Sequence, residues 1–199
     1  MKTYEMRVKL LFPKGILGTQ TGDKDVYRSF IGSKAPDATT VEEEVAALGV
    51  DEVVDKGKTF FPRTKDNLPF IYDYQLRGFF KSACKALNKL EGTLSSKIKA
   101  YKQHVDLRIF VKDRENVINF DGEITECQRP LRCSTMQGER VSIAISEMIP
   151  ENATTEFTIQ VLDEKDLDLV REWLDYGEFN GLLQWRNSGF GRFTWEEIK

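Results

Sequence analysis

Residues 73–90 constrain the fold more than any other stretch. Leu76, Phe79, Phe80, Ala83, Cys84, Leu87 and Leu90 return every three or four residues, the spacing of one buried helix face. Asp73 suits the cap of this helix, and Gly92 ends the pattern. An amphipathic helix of this length needs a second layer to cover it, and the flanking segments predict strands. Tyr4-Glu5-Met6-Arg7-Val8-Lys9-Leu10 alternates apolar and polar residues, giving a half-buried strand over 3–12 that Pro13 and Gly15 end. Val105, Leu107, Ile109 and Val111 alternate in the same way, and 117–120 forms a further short strand. Residues 122–146 read as an irregular hairpin turning at Gln137-Gly138, and Thr155, Phe157, Ile159 and Val161 as a later strand. A second helix, about 165–176, buries Leu167, Val170, Trp173 and Leu174 and stops at Gly177; Phe190–Trp195 is the last strand.

A chain of 199 residues suits one domain, 1–199, with residues 14–68 as an insertion on its core. Two short helical patterns fall in that insertion, at 25–31 and at 41–48 behind the cap candidates Thr39 and Thr40. Its run of Glu42, Glu43, Glu44, Asp51, Glu52 and Asp55 reads as a solvated face or as a partner-binding surface. No apolar run approaches a membrane span and the N-terminal residues lack a signal-peptide core, so a cytoplasmic protein without membrane contact is expected. Cys84, Cys127 and Cys133 are odd in number and lack paired spacing, which predicts reduced thiols, no structural zinc and no cofactor.

The net charge of −3 is unevenly spread: residues 56–114 carry 14 basic and 5 acidic side chains, whereas 115–199 carry 8 and 17. Such an island predicts a local polyanion site. Arg77, Lys81, Lys85 and Lys89 recur at steps of four and form one ridge on the first helix, which Lys97, Lys99 and Lys102 extend. The plainer reading is a row of solvated lysines. A second anion-binding candidate is the loop from Phe179 to Phe193. There Gly189 and Gly191 bracket Phe190 and allow close backbone approach, Arg186 and Arg192 supply charge, and Trp185 and Phe190 supply stacking faces. Its plainer reading is a turn with Trp185 buried.

The element order strand, helix, strands, strand, helix, strand is that of an α+β ferredoxin-like (RRM-like) βαββαβ core, here with a helical insertion and a C-terminal glycine-rich loop. Three segments then resemble the RAMP superfamily, the ferredoxin-like RNA-binding proteins of CRISPR effector complexes, and especially their backbone subunits. Leu68–Lys81 resembles that family's lead into its first helix, although Tyr72, Asp73 and Tyr74 replace the usual Pro-Gly-Ser. Residues 138–157 resemble the approach to a core strand, and the terminal loop is similar to the signature GxxxxxxGxGR. The resemblance implies a non-catalytic module for single-stranded RNA or another nucleic acid or nucleotide. The RNA-binding residues would be Arg77, Lys81, Lys85, Lys97, Lys99, Lys102, Trp185, Arg186, Gly189, Phe190, Gly191 and Arg192, with the loop beside the first helix so that phosphates lie between Arg77, Lys81, Arg186 and Arg192.

Two other classes stay open: a phage-encoded anti-defence protein that docks on a CRISPR or other defence complex or captures nucleotides, and a metal-independent endoribonuclease. For the latter, His104 beside Lys99, Tyr101 and Lys102 is the weak catalytic candidate; a lone histidine at the start of an alternating strand is more often structural. Asp55 and Asp66 lie near the first helix, where target-cleaving relatives carry an aspartate, but neither registers against that motif. RNA preference and oligomeric state are not legible in the sequence.

Overall fold

The structure, a computed structural model, describes residues 2–21, 58–135 and 138–198, with no side-chain detail over 131–142. The chain divides into two compact units: Met1–Ile16, Pro62–Glu123 and Ile149–Lys199 form the first, Leu17–Phe61 and Ile124–Met148 the second. The two helical patterns expected at 25–31 and 41–48, and most of the acidic run, lie outside the described residues.

The first unit is built on β1 (Tyr4–Phe12), whose alternation buries Met6, Val8, Leu10 and Phe12. It lies antiparallel to β10 (Ala153–Val161), pairing Met6 with Ile159 and Val8 with Phe157. The other neighbour of β1 is β11 (Thr194–Ile198), also antiparallel. Beyond β10 come β6 (Ile109–Val111) and β7 (Glu115–Asn119), and β5 (Phe70–Tyr72) lies against β7. Taking β6 and β7 as the second core strand, the order β11-β1-β10-β6/β7 is the 4-1-3-2 arrangement of a ferredoxin-like sheet. The expected fold class is the observed one.

Helices α1 (Asp73–Leu87) and α3 (Lys165–Asp175) cover the face that β1 and β10 bury. Tyr72, not Asp73, is the N-cap of α1; its N–H donates to Gln75 Oε1 at 3.0 Å, and Asp73 takes the first turn, where a carboxylate favours the helix dipole. The helix stops at Leu87 rather than near Gly92, because the Thr93 hydroxyl lies 2.9 Å from both the Leu87 and Leu90 carbonyls and competes for the last turn. Trp173 of α3 is fully buried, and its indole N–H donates to Ser95 Oγ at 2.8 Å, so this buried donor is satisfied. Burying an indole of this size is worth about 4–6 kcal/mol at 25 cal/mol per Å².

The expected strand through Val105 and Leu107 is instead α2 (Tyr101–Arg108), with β6 following directly. Val105 and Ile109 stand four apart and fit a helix face as well as a strand face; Leu107, 67% exposed, belongs to neither. At the C-terminal side, α3 passes into a 3-10 turn at Tyr176–Glu178, where Gly177 makes room for the Phe193 ring rather than ending a helix in the left-handed region. The last strand begins at Thr194, so Phe190–Phe193 belong to the loop.

The second unit is a five-stranded sheet in which β8 (Thr125–Thr135) and β9 (Gly138–Ile149) form the expected hairpin. The short strands β2 (Ile16–Leu17), β3 (Gln20–Thr21) and β4 (Thr59–Phe60) complete it. Thr59 Oγ1 donates to Ser146 Oγ at 2.7 Å, and buried Arg129 reaches the same hydroxyl at 3.2 Å.

Candidate nucleic-acid interface

Three surfaces of the first unit carry cations, and their pairing separates them. The open face of the sheet comes first, because RRM-type proteins stack bases there on strand aromatics. On it Arg7 pairs with Glu156 at 2.9 Å, Lys9 with Glu196 at 3.7 Å and Lys112 with Glu5 at 3.6 Å. These pairs cancel the charge that a phosphate backbone would need.

The helix ridge expected from residues 77–89 splits in two. Arg77 and Lys81 turn to Asp106 of α2: an Arg77 Nη donates to the Asp106 carbonyl at 3.0 Å and to its carboxylate at 3.2 Å, and Lys81 Nζ lies 2.6 Å from the same carboxylate. The Arg77 guanidinium also lies over the Phe110 ring. Lys85, Lys89, Lys97, Lys99 and Lys102 are exposed and, among the described residues, have no ion-pair partner.

The terminal loop is a folded object rather than an open turn. Trp185 and Phe190 stack with centroids 5.4 Å apart and planes at 8°, and Lys14, from the turn after β1, sits over Phe190 at 4.9 Å while its ammonium donates to the Ser188 carbonyl. The glycine freedom is used inside the loop. Gly191 has φ +71°, its carbonyl accepts from Leu182 N–H at 2.7 Å, and its N–H donates to the Gly15 carbonyl at 3.0 Å. A Cβ on Gly191 would meet the Leu182 oxygen at 1.9 Å, so the close approach that glycine permits is to the protein's own backbone. Gly189, at φ +88°, donates its N–H to the Arg186 carbonyl. Arg186 is half-buried, Arg192 is exposed, and neither has an ion-pair partner among the described residues.

The loop meets α1 through Phe193, 5.1 Å from the Phe79 ring, and through Asn180, whose amide donates to Ser82 Oγ at 3.3 Å. Residues 79 and 82 lie on a different flank from 77 and 81, whereas 82 and 85 are neighbours on one flank, and Lys89 lies in the turn past the helix end. Arg77 and Lys81 thus face Asp106 on one flank of α1, and Lys85 is on the flank of Ser82, which the loop touches. Lys14 was missed because it is 174 residues from the Ser188 carbonyl it binds, with no local pattern to announce it.

His104 is helical, not at a strand start. Its Nε2 lies 2.9 Å from Asp166 Oδ1, a carboxylate only 4% exposed in the first turn of α3, whose Oδ2 lies 2.9 Å from Arg108 Nε. Tyr101 and Lys102 are sequence neighbours of this group without a bond to it. Asp66 is exposed in the turn between Thr64 and Leu68, and Asp55 lies outside the described residues. Among the described residues, no group of three or more His, Cys, Asp or Glu side chains could hold a metal ion. Burial pushes the Cys84 thiol up, as expected of a packing cysteine rather than a nucleophile.

Among solved structures, the chain is similar to one in the cryo-EM structure of the Type III-B Cmr-beta bound to cognate target RNA, with a TM-score of 0.54 and 12% identity. All of this chain aligns, and it spans 60% of the length of that one. The likeness shows the fold. No protein-family profile and no curated protein sequence matches the chain. No helix among the described residues is long and apolar enough to cross a membrane.

Proposed function

We propose that this chain is a non-catalytic, RAMP-like RNA-binding protein related to the backbone subunits of CRISPR effector complexes. The observation that carries the reading is the separation of cations. Those of the open sheet face and the start of α1 are matched by carboxylates, while Lys85, Lys89, Lys97, Lys99, Lys102, Arg186 and Arg192 are not, among the described residues. A single RNA strand would follow these residues on the helical side, its phosphates on the lysines and arginines and a base on the Trp185–Phe190 stack. The likeness to a chain from an RNA-bound Cmr-beta assembly supports this reading.

The two parts make separable demands on a titration with a short unstructured RNA. Trp185→Ala should weaken binding by about 1–3 kcal/mol per stacked base while leaving the salt slope unchanged. Lys97→Ala with Lys99→Ala should flatten the slope by about 0.7 per lost phosphate contact. Wild-type affinity in both variants would overturn the proposal.

A further inference from the structure

An open cleft of about 400 Å³ lies beside α2, lined by Lys97, Lys99, Gln103, His104, Leu107 and Arg108. Its volume falls in the range of small-ligand sites and admits a nucleoside monophosphate. The lining supplies cations and an amide but no carboxylate. Behind it, His104 Nε2 hydrogen-bonds Asp166 Oδ1 at 2.9 Å, an Arg108 Nη donates to Asp163 Oδ2 at 2.9 Å, and Arg108 Nε forms an ion pair with Asp166 Oδ2 at 2.9 Å that lacks hydrogen-bond geometry. The imidazole Nδ1 and the other Arg108 Nη thus remain uncommitted among the described residues, on side chains already fixed in position. Two carboxylates offset part of the charge, yet Lys97, Lys99 and Arg108 leave the cluster positive before His104 is counted.

We propose that this cleft binds a phosphate monoester, presented by a free nucleotide or by the 5′ end of an RNA strand, with the sugar or base against Leu107. The strand-end form rests on the RNA-binding reading above; the nucleotide form does not. The test measures three affinities of the full chain: for an oligoribonucleotide with a 5′-hydroxyl, for the same strand with a 5′-phosphate, and for adenosine monophosphate. The 5′-hydroxyl strand reports general RNA binding, so its failure would sink the earlier reading without touching this one.

The cleft is expected to raise affinity for the 5′-phosphorylated strand about 10-fold, as one or two charge-assisted hydrogen bonds would. His104→Gln, and separately Lys97→Ala with Lys99→Ala, should each erase that increment. The lysines are exposed, so the second variant keeps the test interpretable if the first does not fold. Saturable binding of adenosine monophosphate that both variants lose, without an increment on RNA, supports the site with the free nucleotide as ligand. Absence of both effects in the wild-type protein, or their survival in both variants, overturns the proposal.

Discussion

Gly191→Ala should destabilise the protein far more than the loss of a surface glycine would suggest. An L-residue held at φ +71° costs about 1–2 kcal/mol. The new Cβ would stand 1.9 Å from the Leu182 oxygen, so the two backbone segments must separate. That movement breaks Leu182 N–H to Gly191 O and Gly191 N–H to Gly15 O, about 1 kcal/mol each. The sum, about 3–4 kcal/mol, is a large part of an ordinary folding free energy and corresponds to a melting point lower by about 10 °C. Two controls calibrate it. Gly189→Ala meets only the Lys14 side chain at 3.4 Å and should cost about 1–2 kcal/mol, the conformational part alone. Gly78→Ala, in α1 with nothing within 4 Å, should gain about 0.5–1 kcal/mol. Thermal and urea denaturation of the three variants measures the series. A Gly191→Ala variant no less stable than Gly189→Ala would refute the packing described for the loop.

Asp106→Asn releases Arg77 and Lys81 and should steepen the salt dependence of RNA binding by about 0.7 for each phosphate contact they then make; an unchanged slope would mean these cations stay out of reach. Ser95→Ala strands the Trp173 indole N–H in the core and should cost about 1–3 kcal/mol in urea denaturation, whereas a melting curve like the wild type would contradict the buried bond. The Lys165 N–H and then Arg108 hold the Asp163 carboxyl below its usual value of 3.8. Its contribution is present above that value and lost as pH falls through the lower folded value, so Asp163→Asn should flatten the acid limb of a stability–pH profile.

The core was legible where one period dominated. β1 and β10 alternate without interruption over nine residues each, and α1 repeats its apolar face for four turns, so neither had a rival reading. Residues 101–111 offered apolar positions that satisfy two periods, and the strand reading lost to a helix that buries only Val105. The site was legible by composition but not by partner. Sequence shows that Arg77 and Lys81 are basic; it cannot show that Asp106, on another helix, neutralises both. In the same way the glycines marked the loop correctly, while their purpose, admitting Leu182 and Gly15 against Gly191, depends on contacts up to 176 residues apart.

Whether the helical-side cations, unpaired among the described residues, bind single-stranded RNA is tested most directly by the affinity of the wild-type protein for an unstructured RNA across about 50 to 200 mM salt. With four or more phosphates engaged, a log–log slope of about −3 or steeper is predicted, at about 0.7 per contact on a single strand. No binding at low salt, or binding indifferent to salt, would contradict the account.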